Sequence, residues 1–311
     1  MSRSPQRPVT STPTVQEVGP DAFAYVQPDG TWWINNAGFI LGSDGVILID
    51  TCATEQRTLD LLDTVRSVTD APIRMVVNTH HHGDHTHGNS LTEPAVIVAH
   101  RQCREAVRAT GIKRYEDVFT QPDWGALRAR PADITFERRL DLWLDDRVVE
   151  LHHIGTIAHT TNDVVAWLPD AKVLFTGDLV FNGGTPFVVM GSLPGSVAAV
   201  ERLRAFGADV IVPGHGPVCG PEVLDVIERY LEFVWEVAVH AHAAGQTPIK
   251  AAQATDLGEF ASLADNERIV GNLHRAMAEL GGPDANARMS VGDAMADMLT
   301  LNGGRLLHCS A

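Results

Sequence analysis

Apolar residues recur along the chain in short runs whose spacing alternates between the strand period and the helix period. Between residues 22 and 50, the runs AFAYV, TWWINNAGFIL and GVILID are separated by PDG and SDG turns, which predicts a meander of strands. The next segment places Leu61, Leu62, Val65 and Val68 at helical spacing, so we expect a helix on that sheet. IRMVVN and AVIVA then repeat the strand pattern, and RQCREAVRAT repeats the helical one.

The same succession returns after an irregular stretch, residues 110–133. Strands are predicted at ADITFERR, LDLWLDD, RVVELHHI, DVVAWLP, KVLFTGD and DVIVPGH, and helices at VAAVERLRAF and PEVLDVIERYLEFVWEVA. Two β-rich halves, each flanked by helices, predict a four-layer αββα sandwich with a core between two packed sheets.

The two ends of the chain depart from this pattern. Residues 1–16 are polar and rich in Pro, Ser and Thr, without the apolar segment of a signal peptide, so we expect a disordered leader. The sandwich domain is then predicted to cover 17–244. Residues 245–311 are predicted to form a helical C-terminal extension packed on the same domain.

Composition excludes several classes of partner. The chain has 311 residues, of which 44% are hydrophobic and 20% are charged, enough for a large core. Its formal net charge of −15 argues against nucleic acid and against an anionic membrane surface. The four cysteines lie far apart without a CxxC pair, which indicates reduced thiols. No apolar run approaches the roughly 20 residues that span a bilayer, so we expect a cytoplasmic protein.

The strand IRMVVN is followed by a concentration of histidines, VVNTHHHGDHTHGN. His80 and His82 are two residues apart after a strand, so both rings project to the same side in extended geometry. The glycine after them lets the chain turn, and Asp84 and His85 form a second pair beside the first. Imidazole and carboxylate suit zinc, so this one segment can supply ligands to two adjacent metal ions.

Three further candidate ligands lie next to strands in the second half. His159 precedes DVVAWLP, Asp178 ends KVLFTGD, and His215 ends DVIVPGH. A carboxylate at the end of an apolar strand is costly to bury unless an ionic partner meets it, and a metal ion is such a partner. The remaining histidines are expected to be solvated or hydrogen-bonded, with His87 and His153 as candidates for orienting a ligand or a substrate.

The HxHxDH motif of residues 80–85 resembles the signature of the metallo-β-lactamase-fold hydrolases. The family's later ligands correspond to the histidine of AHTTND, the aspartate of FTGD and the histidine of PGHG, and NAG…DGVILIDT is similar to its N-terminal strands. The resemblance implies a catalytic domain over 17–244 and two zinc ions, with iron or manganese as alternatives. One metal is expected on three histidines, His80, His82 and His159. The other is expected on Asp84, His85 and His215, with Asp178 as the bridge.

Such a metal pair, roughly 3.5–4 Å apart, activates a water near neutral pH and polarises a carbonyl or phosphoryl oxygen. The resemblance makes Asp84 the catalytic residue that orients this water. By this resemblance, Asp178 occupies the position at which the best-known zinc β-lactamases have a cysteine. The difference disfavours antibiotic hydrolysis. The segment LVFNGGTPFVVMGSLPG is uncharged, unlike the basic segment with which glyoxalase-II-like thioesterases hold glutathione.

Aromatic residues near the expected metals predict a pocket for a flat, apolar substrate, formed by Trp32, Trp33, Trp124 and Phe187. HTTNDVVAWLP, GDLVFNGGTPFVVMGS, GHGPVCGPEV and the tail TPIKAAQATDLGEFASLADNERIVGNLHRA are similar to the actinorhodin-type cyclase/thioesterases of bacterial aromatic polyketide pathways. That narrower resemblance implies a free or carrier-tethered polyketide substrate, and the net charge excludes a nucleic-acid or membrane partner. A homodimer is an open alternative.

Other functions stay open on the same motifs. They include another hydrolase of the fold (a lactonase, a glyoxalase-II-like thioesterase or a β-lactamase-like enzyme) and a mononuclear iron persulfide dioxygenase with a similar triad. Elemental analysis separates these, because the dioxygenase requires one iron and no zinc. A third alternative, a catalytically silent binding module, has no reason to keep a carboxylate at Asp178.

Overall fold

The computed structural model describes residues 12–27 and 29–311. The strands of the first sheet lie in chain order, β1 (Thr14–Gly19), β2 (Ala22–Val26), β3 (Ala37–Leu41), β4 (Val46–Ile49), β5 (Ile73–Asn78), β6 (Val96–His100) and β7 (Ile134–Phe136). Neighbouring strands are antiparallel from β1 to β4 and parallel from β4 to β7. Residues 1–11 of the predicted leader lie outside the described residues. Its last residues belong to β1, because Thr14 and Val15 pair with Val26 and Tyr25.

The second sheet has the strand order β12-β11-β10-β9-β8. Its strands are β8 (Arg139–Leu144), β9 (Arg147–His153), β10 (Val164–Leu168), β11 (Val173–Phe181) and β12 (Val210–His215). The strands from β8 to β11 are antiparallel, and β11 and β12 are parallel. Parallel neighbours place the C-terminal ends of β11 and β12 at one edge of this sheet, as β4, β5 and β6 do in the first.

Helices cover the outer face of each sheet. The first sheet is flanked by α1 (Glu55–Val68), the one-turn α2 (Gly83–Thr86), a 3₁₀ helix (His87–Thr92) and α3 (Arg101–Thr110). The second carries α4 (Leu193–Ala205) and α5 (Val223–Ala243). They are followed by α6 (Pro248–Ala254), a 3₁₀ turn (Gly258–Ser262), α7 (Arg268–Leu280), α8 (Pro283–Arg288) and α9 (Val291–Leu301). Among the helices of the described ranges, none combines the length and the hydrophobicity that crossing a membrane requires.

The hydrophobic residues form three layers of core. One lies between the sheets and contains Ile40, Val77, Leu151 and Phe175. A second lies between the first sheet and its helices. The largest lies between the second sheet, α4, α5 and the C-terminal helices. This arrangement confirms the αββα sandwich with a helical C-terminal region, and the predicted core between the sheets is accompanied by one on each outer side.

One predicted strand is shorter than expected. The run TWWINNAGFIL is extended only from Ala37 to Leu41, because Trp32 and Trp33 lie in a turn and Trp33 has φ of 69°. The turn is tied to the second sheet, since Asn36 donates from its backbone N–H to Gly214 O at 2.7 Å. The two tryptophans therefore leave the first sheet and face the ends of the strands.

Candidate metal centre

The predicted ligands come together at the edge where β5, β11 and β12 end. His80 and His82 follow β5, and Asp84 and His85 lie in α2, which begins at Gly83 immediately after them. Asp178 lies within β11 and His215 ends β12. His159 comes from the loop between β9 and β10, where the carboxylate of Asp163 accepts bonds from the backbone N–H (2.8 Å) and the hydroxyl (2.5 Å) of Thr160.

Two glycines allow the close approach of these strands. Gly177 has φ of 50°, in the left-handed region that favours glycine, and a Cβ there would lie 2.6 Å from the hydroxyl oxygen of Thr79. A Cβ at Gly214 would lie 2.0 Å from Oδ1 of Asp178. A side chain at Gly177 would push β11 away from the segment that carries His80, and one at Gly214 would push β12 away from β11 at Asp178, so the absence of both side chains is part of the site.

Four nitrogen and oxygen atoms form a first group. His82 Nδ1 lies 3.1 Å from His80 Nε2 and 2.8 Å from His159 Nε2. Asp178 Oδ2 lies 3.8 Å from His80 Nε2 and 3.4 Å from His159 Nε2. Three imidazole nitrogens and one carboxylate oxygen thus converge on one point, the arrangement that a tetrahedral zinc ion takes.

A second group shares Asp178 with the first. Its Oδ1 lies 3.0 Å from His85 Nε2, and its Oδ2 lies 3.4 Å from His215 Nε2. Asp84 Oδ2 completes the group at 3.3 Å from His215 Nε2 and 3.7 Å from His85 Nε2. Within each group the candidate ligand atoms all lie within 4.8 Å of one another. Asp178 is therefore placed to contact two ions at once.

The donor atoms fit a metal pair by their chemistry as well as by their spacing. His85 Nε2 and Asp178 Oδ1 are buried, and within the described part of the chain neither makes a hydrogen bond. Burying such polar atoms without a hydrogen-bond partner costs free energy, and a cation that both atoms contact removes that cost. The set of imidazoles and carboxylates is the one preferred by zinc, and it also accommodates iron or manganese.

The candidate histidine ligands differ in the direction in which their pKa values are shifted. Burial, with the nearby His85 and His159 rings, holds the pKa values of His80 and His82 well below the usual value. Burial opposes protonation of His215 also, but Asp178 and Asp84 outweigh it and raise its pKa to about 9. The second group thus attracts positive charge to the place that a metal ion would take.

The outer nitrogens of the histidines are held by further contacts. His159 Nδ1 donates to Phe187 O at 2.5 Å, and His80 Nδ1 lies 3.1 Å from the Thr79 hydroxyl. His85 Nδ1 donates to Asp50 at 2.8 Å. Each contact holds one ring nitrogen and directs the other into the cluster, which is the orientation that metal ligation requires.

Three other histidines show what the sequence could and could not place. His81 contacts Asn162 at 3.1 Å and lines the pocket beside the cluster. His87 lies against Trp33 and lines the same pocket, so it is close to the site as anticipated. The suggestion that His153 orients a ligand is not supported, because its ring stacks on His100 at 4.3 Å in the packing between β6 and β9.

A pocket of about 200 Å³ opens over the cluster. Of the four aromatic residues predicted to line it, Trp32, Trp33 and Phe187 do so. Trp124 is not among its lining residues, because its ring is buried behind Trp33 at a centroid distance of 5.0 Å. The pocket is closed on other sides by Tyr115, Phe119, Phe181, Met190 and Met295.

Two residues that sequence reasoning missed contribute to this site. Asp50 directly follows the apolar strand β4 and accepts a hydrogen bond from His85, and its place after an apolar run is the same signal that identified Asp178. Arg268 is almost fully buried, lies 4.1 Å from the centroid of the Trp32 ring and donates to Asp265 at 2.7 Å. No local pattern reveals Arg268, because it reaches the pocket from α7.

A family model described as Metallo-beta-lactamase superfamily matches residues 30–215, a range that includes all seven candidate ligands. The chain belongs to the metallo-β-lactamase superfamily. The resemblance predicted from the HxHxDH motif is confirmed at this level.

Individual relatives of the superfamily are distant. The chain is 28% identical over 199 residues to a "Beta-lactamase-like protein 2 homolog" of Caenorhabditis elegans, covering 62% of this chain and 60% of that protein. It is 29% identical over 153 residues to a "Hydroxyacylglutathione hydrolase" of Rhodospirillum rubrum, covering 48% of each. The chain thus spans less than two thirds of the length of these curated relatives.

Among solved structures, "Metallo-beta-lactamase from Pontibacter korlensis" superposes with a TM-score of 0.60 at 21% identity. The superposition covers 71% of this chain and 99% of that one. At this identity the likeness establishes the fold shared within the superfamily.

Proposed function

We propose that the protein is a dinuclear zinc hydrolase that cleaves a thioester of an apolar, aromatic substrate, as a polyketide cyclase/thioesterase does. The observation that carries this proposal is the joining of two metal-ligand groups through Asp178 at the floor of an aromatic pocket. The narrower resemblance of the loop after β11 and of the C-terminal tail supports the choice of substrate. The name of the Rhodospirillum relative specifies hydrolysis of an acyl-glutathione, which is also a thioester.

The seven ligands would hold two ions, which when bound supply Lewis acidity and an activated water. The protein's own groups then determine the geometry of attack. His85 and His215 hold the pKa of Asp84 low despite its burial, so its carboxylate stays ionised and can accept a hydrogen bond from a nucleophilic water. Aromatic side chains above the cluster exclude bulk solvent from the reacting carbonyl, and they are Trp32, Trp33, Phe181 and Phe187.

One observation favours a second candidate, hydrolysis of an acyl-glutathione. Lys113 lines the pocket and is exposed at its rim, where an ammonium can pair with a carboxylate of glutathione. The loop after β11 remains uncharged, in contrast to the basic segment expected for that activity. A substrate panel that contains both aryl thioesters and acyl-glutathiones separates the two candidates.

The proposal is tested by measuring zinc and iron content and hydrolysis of a panel of thioesters, lactones and β-lactams. We expect two zinc ions per chain and activity on the aryl thioesters. Asp178→Asn should lower kcat/KM by more than about 100-fold, the upper end of the loss seen for residues that only support a ligand. Asp209→Asn is the matched control, since its carboxylate is exposed and pairs with the exposed Lys172, away from the predicted ligands.

Wild-type turnover by Asp178→Asn would contradict the dinuclear mechanism. One iron and no zinc per active chain would replace it with the persulfide dioxygenase alternative.

A further inference from the structure

A groove of about 440 Å³ adjoins the pocket over the metal cluster. The pocket and the groove share four lining residues, Lys113, Tyr115, Met190 and Met295. These four residues form a neck between the two spaces. The neck is close to the reacting centre, because Met190 Sδ lies 3.4 Å from Nε2 of His82, a candidate metal ligand.

The walls of the groove are apolar along its length. One wall is α9, with Val291, Met295 and Leu299 on the facing side and the small residues Gly292 and Ala296 between them. The opposite wall is the segment 113–118, which contributes Tyr115 and Val118. The two charged residues of the lining, Lys113 and Asp117, are both exposed. The groove is therefore lined mainly by hydrocarbon, and its charged groups stand at the edge, where Lys113 Nζ lies 4.5 Å from the centroid of the Tyr115 ring.

We propose that this groove binds a linear apolar tail of the substrate, which runs from the carbonyl at the metal centre through the neck and along α9. The proposal rests on the proposed thioesterase activity and adds that the acyl group of the apolar substrate extends beyond the aromatic pocket as a chain. Two features favour a flexible chain over a second ring. Methionines at the neck adapt to the group that passes them, and small residues in α9 leave a continuous track.

Chain-length dependence is the direct readout. With a constant thiol and acyl groups from acetyl to dodecanoyl, KM should fall about fourfold for each methylene that enters the groove, the ratio that follows from burying one methylene. The fall should end once the tail reaches the open end of the groove. A kcat/KM that is the same for butanoyl and dodecanoyl thioesters would overturn the proposal.

Two substitutions at Ala296 block the groove without touching the metal ligands. Ala296 is exposed on α9, so Ala296→Phe fills the groove and Ala296→Glu introduces a charge there at little cost to folding. Both should remove the gain for long acyl groups while acetyl thioester hydrolysis stays within about twofold of wild type. Thr300→Phe and Thr300→Glu are matched controls, since Thr300 is exposed on the same helix but is not among the groove residues.

Binding of neutral 1-alkanols separates failure of this proposal from failure of the proposed hydrolysis. Affinity, followed by the intrinsic tryptophan fluorescence, to which Trp32 and Trp33 of the adjoining pocket contribute, should rise with alkanol length in the wild type and much less in Ala296→Glu. If no thioester of any length is cleaved but alkanol binding shows this dependence, the hydrolysis is wrong and the groove assignment stands. Length-independent alkanol binding would remove the groove assignment whatever the activity.

Discussion

Asp50 provides the sharpest test of how the second metal group is organised. Its carboxylate accepts three hydrogen bonds, from the backbone N–H of Thr79 at 2.8 Å, from the Thr79 hydroxyl at 2.7 Å and from His85 Nδ1 at 2.8 Å. In Asp50→Asn, one side-chain oxygen is retained and can still accept a hydrogen bond. The other oxygen is replaced by an NH2 group, which can only donate to the partner that it faces. If that partner is His85, its Nδ1 must accept, and the ring proton moves to Nε2, the atom that faces Asp178.

The structure sets the size of the effect. The substitution costs one hydrogen bond to a charged group, about 1.5–3 kcal/mol, and 1.4 kcal/mol corresponds to a factor of ten. We therefore expect the affinity for the second metal ion to fall by about 10–100-fold, in the range for residues that orient a ligand. Asp50 reaches the first group indirectly, through the Thr79 hydroxyl that also lies 3.1 Å from His80 Nδ1, so the affinity for the first ion should fall less than the affinity for the second.

Competition with a chromogenic zinc chelator measures both affinities. Asp145→Asn is a close control, because Asp145 also has a left-handed backbone (φ 54° against 60° for Asp50) and also accepts from a backbone N–H and a hydroxyl, both of Ser43. Asp145 is exposed, and among the described residues its carboxylate has no histidine partner. Equal loss of both ions in Asp50→Asn, or unchanged affinity for the second, would refute the orienting role.

Two further predictions concern stability. Gly191→Ala should lower the free energy of unfolding by at least the ~1–3 kcal/mol of overpacking, because the added Cβ would lie 1.6 Å from Ala158 O. It should also weaken zinc binding, because Ala158 is next to His159. In the control, Gly207→Ala, the added Cβ meets open space and should cost only about 1 kcal/mol for the left-handed backbone. Urea titration and zinc competition check both, and zinc affinity unchanged in Gly191→Ala would contradict the first. Burial and His153 lower the pKa of His100, so the unfolded chain binds more protons and stability should be lost as pH falls below about 6.5. His100→Asn keeps a residue that caps α3 and should reduce this loss in urea unfolding at neutral pH and at about pH 5; the same pH slope as wild type would count against it.

The parts of the fold and site that the sequence predicts are those with local signals. Alternating strand and helix periods predict the sandwich, and polar residues at the ends of apolar strands predict His80, Asp178 and His215 as neighbours. Asp50 has the same position after an apolar strand, but this position alone does not predict which side chain the carboxylate contacts.

What the sequence does not predict depends on long-range packing. Trp32 donates to Glu267, 235 residues away, and Arg268 lies over the same indole ring. The sequence predicts both Trp33 and Trp124 as pocket residues. In the structure Trp33, which has a positive φ, lines the pocket, and the Trp124 ring is buried behind it. Such differences arise from contacts between distant segments and have no periodic pattern in the chain.

The match to the superfamily ends at residue 215, whereas Met295 and the rest of the α9 wall lie far beyond it. The metal ligands and most of the pocket therefore lie inside the matched range, whereas the α9 wall of the groove lies outside it. Substitutions in α9 can alter what enters the pocket while every metal ligand is retained. A match to the superfamily therefore carries no information about α9, and such a groove has to be recognised separately in each protein that shares the HxHxDH motif.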